Sequence, residues 1–306
     1  WNEFRNLPSS AIADLMRAAG PKTCVFPING TRRWFLLEHT GAAQSLDGYL
    51  EIAGRRHIEI YRMCFDHGVE PLLTPVFGPD ILERGAAYLQ VAVEGMERLV
   101  THPDFVEFYT AYDVRVGFYG DYRRYLAETP HAYLSDLFDQ IGAETRGRSG
   151  PRLYYGVFAQ DAVQSTAELA VKYHAEHGQV PDKQTLVELY YGDILPPVGL
   201  FIGFEKFAAF DMPLLATGDE DLYFTVSPSP YISEAQLRAI LYDHLFGRRA
   251  AEADYAELSA DAWAQMRAFY EINRDKVFGI GEQHASGGFW YAATQVELPE
   301  SSSETQ

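Results

Sequence analysis

The chain has 306 residues, of which 47% are hydrophobic and 22% are charged, as expected for a globular protein with a sizeable core. Its 25 lysines and arginines are outnumbered by 43 aspartates and glutamates, which gives a formal net charge of −18. Because so acidic a chain repels nucleic acid and anionic membranes, we exclude those partners and expect anion binding only where cations cluster locally.

Cysteine content and apolar runs indicate the compartment. Cys24 and Cys64 lie in apolar stretches without CxxC spacing, which favours buried free thiols in a reducing cytoplasm. Residues 1–10 contain no long apolar segment, so we expect no signal peptide. The chain also lacks the run of about 18 apolar residues that a membrane span requires, and we therefore predict a cytoplasmic protein.

Predicted strands and helices alternate along the chain. Apolar runs predict strands over residues 22–27, 69–77, 113–120, 152–158, 199–204 and 221–226. Helical periodicity predicts helices over residues 48–67, 80–100, 161–177, 233–246 and 259–274. This alternation is typical of an α/β fold with a mostly parallel sheet, and no linker divides it. We predict one domain over residues 1–296 and a polar, disordered tail over residues 297–306.

The end of the first predicted strand carries residues suited to binding an anion. Ligands of open α/β sheets bind at the carboxyl ends of strands, and here Asn29, Gly30 and Thr31 are followed by Arg32 and Arg33. Gly30 permits a sharp turn with several N–H groups aimed at one anion, and Arg33 could add a forked cation that matches phosphate. A solvated turn with two surface arginines is the alternative.

The next two predicted strand ends combine aromatic rings with nearby cations. Phe77 is followed by Asp80 and Arg84, and Phe118 is followed by the sequence YGDYRR. Cations bind a diphosphate, and aromatic faces tolerate an adjacent carbocation. The pattern suits allylic diphosphate chemistry, but aromatic residues near strand ends more often belong simply to the core.

Several motifs resemble one protein family. NGTRRWF is similar to the DGNxRWA signature of cis-prenyltransferases. FPINGTRRWF, FYGDYRR, DLYFTVSPS and RAILYDHLF, in that order, resemble a branch of this fold. That branch comprises tuberculosinyl adenosine transferase (also described as isotuberculosinol synthase) and kolavelool-type diterpene synthases. The resemblance implies a central, mostly parallel sheet flanked by helices, a hydrophobic tunnel and a homodimer.

The resemblance also implies site residues. The positions that match the diphosphate site of the family are Gly30, Thr31, Arg32, Arg33, Phe77 and Arg84. A tyrosine implicated in the diterpene branch matches Tyr49. The family has an aspartate that holds Mg²⁺ where this chain has Asn29, an amide that binds Mg²⁺ less well. Two explanations stay open: ionisation with weaker metal assistance, or an aspartate that was changed to trap substrate.

A second departure concerns chain elongation. The elongating enzymes bind isopentenyl diphosphate through two arginines, and the matching positions here are Leu215 and Asp221. The loss of two cations and the gain of a carboxylate predict that elongation is lost. We interpret residues 219–221, DED, as a solvated turn rather than a metal cluster, since the DDxxD spacing is absent.

These observations lead to a functional hypothesis. We expect a terpene synthase that ionises a bicyclic C20 diphosphate of the kolavenyl or halimadienyl (tuberculosinyl) type and quenches the cation with water, giving a diterpene alcohol and pyrophosphate. Asn29, Tyr49 and Arg33 are the candidate catalytic residues, and Mg²⁺ is the expected cofactor. The alternatives are transfer to adenosine, chain elongation and a non-catalytic partner subunit. Water is preferred because we identify no nucleoside pocket in the sequence.

Overall fold

The computed structural model describes residues 1–39, 45–78, 85–159, 162–249, 254–285 and 287–293. The predicted tail over residues 297–306 therefore lies outside the described residues, and the single-domain assignment stays a prediction. Cys24 and Cys64 are buried free thiols, as expected. Within the described ranges, every helix is too short or too polar to cross a bilayer.

Six parallel strands form the central sheet, in the order β3-β4-β2-β1-β5-β6. They are β1 (Thr23–Val25), β2 (Leu72–Phe77), β3 (Arg115–Tyr119), β4 (Arg152–Val157), β5 (Val198–Phe204) and β6 (Asp221–Thr225). A separate antiparallel hairpin joins β7 (Gly281–Gln283) to β8 (Trp290–Ala292). All six predicted strands are present, so the predicted sheet is confirmed.

Helices flank the sheet on both faces. In chain order they are α1 (Ser9–Ala18), α2 (Thr31–Glu38), α3 (Leu46–Asp66), α4 (Ala86–Thr101), α5 (Pro103–Ala111), α6 (Tyr122–Leu126), α7 (Tyr133–Thr145), α8 (Ala162–His177), α9 (Lys183–Tyr191), α10 (Glu234–Tyr242) and α11 (Ala260–Ile272). Ser233 caps α10 through a capping box with Gln236, as predicted. Residues 80–84 of the helix predicted over 80–100 lie outside the described part of the chain.

Strands β1, β2, β4 and β5 are largely buried on both faces, which explains their continuous apolar sequences. Side chains alternate between a larger hydrophobic cluster and a smaller one: Cys24 and Leu72 belong to the larger cluster, and Val25 and Leu73 to the smaller. The larger cluster takes residues from α1, α3, α4, α5, α7 and α10, whereas α9 belongs to the smaller. The predicted fold class, an α/β protein with helices on both faces of its sheet, is confirmed.

The interpretation of residues 219–221 as a solvated turn is wrong for Asp221. This residue begins β6 and is buried; its Oδ2 lies 2.6 Å from Nδ1 of buried His244 and 3.3 Å from an Nη of Arg249. Leu215 is only 1% exposed and packs in the smaller cluster. Neither Leu215 nor Asp221 lies at the carboxyl ends of the strands, so neither can repel a diphosphate bound there.

The buried position of Asp221 predicts a large effect on stability. Removal of its carboxylate leaves His244 and Arg249 without their partner, so Asp221→Ala should lower the free energy of unfolding by about 3–5 kcal/mol. Asp219→Ala, in the exposed turn nearby, should change it by about 0.5 kcal/mol or less. Urea denaturation of both variants tests this, and equal effects would contradict the burial argument.

Candidate active site

The carboxyl ends of three adjacent strands surround a cavity. β2, β1 and β5 are neighbours in the sheet, and a cavity of about 700 Å³ lies where they end. Residues 28–33, 75–78 and 204–206, which follow or end these strands, line it together with residues of α3 and α4. The end of β3, which the sequence also indicated, is at the far edge of the sheet and takes no part in this lining.

The turn between β1 and α2 brings backbone N–H groups to the cavity. Gly30 has φ of 76° and precedes Thr31, the first residue of the eight-residue α2. Only a turn was expected here; the helix adds a positive N-terminal end, whose first N–H groups have no acceptor within the helix itself, and such an end favours anions. The backbone of Asn29 is held by the amide N–H of Ser229, which donates to its carbonyl over 2.9 Å.

The turn is also closely packed. A Cβ at Gly30 would lie 2.9 Å from the Cβ of Pro228 and 3.0 Å from Cε1 of Phe204. Glycine is therefore required at this position by its positive φ and by its neighbours. The end of β5 and the loop after β6 thus determine where the β1–α2 turn lies.

Thr31 and His57 form a hydrogen-bonded pair that sequence reasoning missed. The Thr31 hydroxyl donates to the carbonyl of Ile28 over 2.9 Å, and His57 Nε2 lies 3.1 Å from the same hydroxyl oxygen. Because that hydroxyl has one hydrogen, Nε2 carries a proton and donates. Burial, with the nearby charge of Arg56 as a lesser cause, lowers the pKa of His57 to about 4, so its imidazole is neutral at physiological pH.

A spacing signal could have identified His57 as a cavity residue. Tyr49, Ala53 and His57 follow one another at intervals of four along α3, which places them on one helical face. All three line the cavity. Tyr49 also makes an edge contact with Phe35 of α2, with ring centroids 5.1 Å apart.

Positive charge is concentrated at this cavity. Four cationic side chains and one carboxylate occur among the described lining residues: Arg32, Arg33, Arg98, Lys206 and Glu205. Nη1 of Arg33 is 3.4 Å from Glu205 Oε2, and 45% of the Arg33 side chain is exposed. Glu205 also accepts from the Trp290 amide N–H over 2.7 Å. Arg33 is thus loosely paired and able to turn toward another anion.

Part of the cavity wall is apolar. Leu50 and Ala53 of α3, Leu99 of α4 and Phe105 of α5 contribute to it. Gly95 sits where a Cβ would lie 3.2 Å from Cζ of Phe77, so a glycine makes room for this ring. The predicted hydrophobic tunnel stays a prediction, but an apolar wall does lie beside the cations.

Most of the predicted site residues meet at this cavity. Its lining includes Asn29, Gly30, Thr31, Arg32, Arg33, Tyr49 and Phe77. Arg84 lies outside the described residues. For Mg²⁺, the described residues contain no group of three or more histidine, cysteine or acidic side chains placed to hold a metal. Asn29 and Glu205 supply oxygen atoms suited to a Mg²⁺ ion that keeps its remaining ligands from water and a diphosphate.

Two curated proteins are similar to the chain over almost its whole length. Tuberculosinyl adenosine transferase of Mycobacterium tuberculosis (strain CDC 1551 / Oshkosh) is 40% identical over 292 residues, which is 95% of this chain and 97% of the relative. (+)-Kolavelool synthase of Herpetosiphon aurantiacus is 26% identical over 301 residues, 96% of each chain. No family model matches the sequence.

Two solved structures share the fold. Lavandulyl diphosphate synthase from Lavandula x intermedia, in complex with dimethylallyl diphosphate, has a TM-score of 0.58 at 18% identity, covering 75% of this chain and 97% of its own. A probable undecaprenyl diphosphate synthase from Campylobacter jejuni has a TM-score of 0.55 at 13% identity, covering 76% and 97%. The central sheet and its helices therefore form a cis-prenyltransferase fold.

The close packing at Gly30 can be separated from its backbone conformation. Gly192 has nearly the same φ, 72°, but an added Cβ there meets nothing within 4 Å. Gly192→Ala should therefore cost only the left-handed conformation, about 1–2 kcal/mol. Gly30→Ala should cost about 1–3 kcal/mol more and should weaken pyrophosphate binding. Denaturation and calorimetric titration of both variants test this; equal destabilisation would contradict the packing argument.

Proposed function

The chain belongs to the family of tuberculosinyl adenosine transferase and is an enzyme, and from this premise we propose that it transfers a bicyclic C20 diterpenyl group from its diphosphate to adenosine. The observation that carries the proposal is the cavity at the ends of β2, β1 and β5, whose lining combines cations, a helix N-terminus and apolar side chains. The preference for water in the sequence analysis is replaced here, because the relative with the higher identity is the adenosine transferase.

The diphosphate would occupy the polar side of the cavity. The N-terminal N–H groups of α2 and the guanidinium groups of Arg32 and Arg33 supply positive potential there. Arg84, outside the described residues, is proposed as a further contact on the grounds of the family motif. These groups stabilise the charge that develops on pyrophosphate as its bond to carbon breaks, which lowers the barrier to ionisation.

The hydrocarbon would occupy the apolar side. A cavity of about 700 Å³ is within the range of about 300–1,000 Å³ usual for small-molecule sites. Each CH₂ buried against residues such as Leu50 and Leu99 contributes about 0.8 kcal/mol to binding. Phe77 lies in the same lining, and the face of its ring can stabilise an allylic cation.

Transfer to a nucleoside requires no general base, because the acceptor nitrogen does not have to lose a proton. The C–O bond breaks and pyrophosphate keeps its electron pair, while a lone pair on a ring nitrogen of the base forms the new C–N bond. The positive charge of the allylic cation then resides on the alkylated base. Asn29 and Tyr49, both in the cavity lining, would orient the acceptor. His57, neutral and hydrogen-bonded to Thr31, would hold the first turn of α2 in position.

A magnesium ion would assist the same departure. Asn29 and Glu205 would hold it together with the diphosphate oxygens, and it would supply electrostatic neutralisation of the leaving group. Asn29 contributes only an amide oxygen, so we expect weak metal binding in the absence of substrate.

Capture of the cation by water is the second candidate. It is favoured by the resemblance over the full length to (+)-kolavelool synthase, at the lower identity of 26%. Water as acceptor would need to lose a proton, a step that Tyr49 could assist through a hydrogen bond. Chain elongation no longer has the counter-argument based on Leu215 and Asp221, and it is therefore included in the experiment below.

Product analysis tests the proposed function. With tuberculosinyl or kolavenyl diphosphate, mass spectrometry should detect a diterpenyl nucleoside only when adenosine is present. Arg33→Ala should lower pyrophosphate release by about a hundredfold, whereas Arg17→Ala, on the exposed face of α1, should not. A diterpene alcohol at every adenosine concentration would favour water as acceptor, and a longer prenyl product from labelled isopentenyl diphosphate would indicate chain elongation; either would overturn the proposal.

The amide at position 29 generates a further prediction. Asn29→Asp introduces a carboxylate at the cavity, so it should lower the Mg²⁺ concentration needed for half-maximal activity and raise kcat by about tenfold or more. Initial rates over a Mg²⁺ titration measure both effects. Unchanged rates and an unchanged Mg²⁺ requirement would mean that residue 29 does not contact the metal.

A further inference from the structure

A second cavity adjoins the first. It has a volume of about 640 Å³ and shares Asn29 and residues 75–78 with the cavity described above. Its other walls are Ala159, which follows β4, Ala162 and Val163 at the start of α8, and residues 210–213 of the loop between β5 and β6. Asn29, which follows β1, and the end of β2 thus border both cavities.

The two cavities differ in charge. The first contains four cationic side chains among its described lining residues. The described lining of the second has a single ionisable side chain, that of Asp211, and no lysine or arginine. A second diphosphate would meet no positive side chain among these residues, only a carboxylate. The second cavity therefore suits a neutral or cationic molecule.

Asp211 is an unusual aspartate. Its backbone has φ of 54°, and its carbonyl accepts from the Tyr119 hydroxyl over 3.3 Å. Within the described part of the chain no group donates a hydrogen bond to its carboxylate. Burial raises the pKa of this carboxyl to about 6. A partly buried carboxylate that lacks a donor in the described part of the chain is able to accept a hydrogen bond from a ligand.

We propose that the second cavity is the acceptor subsite, where Asp211 accepts a hydrogen bond from the exocyclic amino group of the adenine base. This inference rests on the proposed function. Phe210 and Met212, which flank Asp211, supply apolar contacts suited to the faces of a purine. Asn29, bordering both cavities, would lie where the base meets the allylic carbon.

The proposed contact also assists the chemistry. When a ring nitrogen next to the amino group forms the C–N bond, the positive charge is shared over that nitrogen, the adjacent carbon and the amino nitrogen. The carboxylate of Asp211 would then pair with a cation that did not exist in the substrate. A hydrogen bond that strengthens as the charge develops stabilises the transition state more than the bound substrate. Asp211 would thus select an amino-bearing base over water.

Kinetics of Asp211→Asn test the inference. The variant should raise the adenosine concentration for half-maximal rate by about tenfold or more, while the half-saturating concentration of the diterpenyl diphosphate stays within about twofold. The proportion of diterpene alcohol should rise. Asp219→Asn, in an exposed turn, should match the wild type. If the wild type and Asp211→Asn both make the diterpenyl nucleoside with the same half-saturating adenosine concentration, the inference is wrong. If the wild type makes no diterpenyl nucleoside, the proposed function itself fails.

A measurement on the wild type covers the case in which Asp211→Asn does not fold. Among the described residues, the titratable side chains that interact electrostatically with Asp211 are Tyr119, Tyr190 and Tyr191. Burial raises the pKa of each, so none of them titrates near pH 6. Protonation of Asp211 below about pH 6 should raise the half-saturating adenosine concentration, by about tenfold per pH unit at the limit. The half-saturating concentration of the diterpenyl diphosphate over the same pH range is the control. If the half-saturating concentrations of adenosine and of the diphosphate change in parallel from pH 5 to 7.5, the inference is overturned.

Discussion

The site depends on how the first strand ends. Gly30 turns the chain through a left-handed conformation, and the neighbouring Pro228 and Phe204 leave no room for a larger residue. Because α2 begins at the next residue, this turn determines where the N-terminal N–H groups of the helix point. None of the strand, the turn and the helix forms a binding site by itself. The cavity arises where they contact the end of β5 and the loop after β6.

The two cavities differ in the charge of the side chains that line them. The chain carries a net charge of −18, yet four cationic side chains meet at the first cavity. Charges beyond a Debye length of about 10 Å are largely screened, so the local cations determine the potential that a diphosphate meets. The second cavity has only the carboxylate of Asp211 among its described ionisable residues. A diphosphate and a neutral acceptor would therefore be drawn to different sides of Asn29.

The accuracy of sequence prediction varied with the kind of burial. All six central strands were predicted, because strands buried on both faces have apolar sequences. The helix α2 was missed, because TRRWFLLE is short and its charged residues resemble a turn. The interpretation of Asp221 failed because an acidic triplet is usually solvated, whereas here packing places one member against His244. His57 was missed, although its spacing from Tyr49 on α3 indicated a shared face.

The fold class, the family and the choice of residues 29–33 as site candidates could be predicted from the sequence. Apolar periodicity encodes the fold class, and contiguous motifs encode the other two. The partner of Thr31, the burial of Asp221 and the place of Asp211 in a cavity that Asn29 also lines could be known only from the folded chain. The physical reason is that desolvation and hydrogen bonding depend on atoms contributed by distant parts of the chain. Asn29 and Asp211 are 182 positions apart in sequence, and the folding of the sheet places them in one cavity.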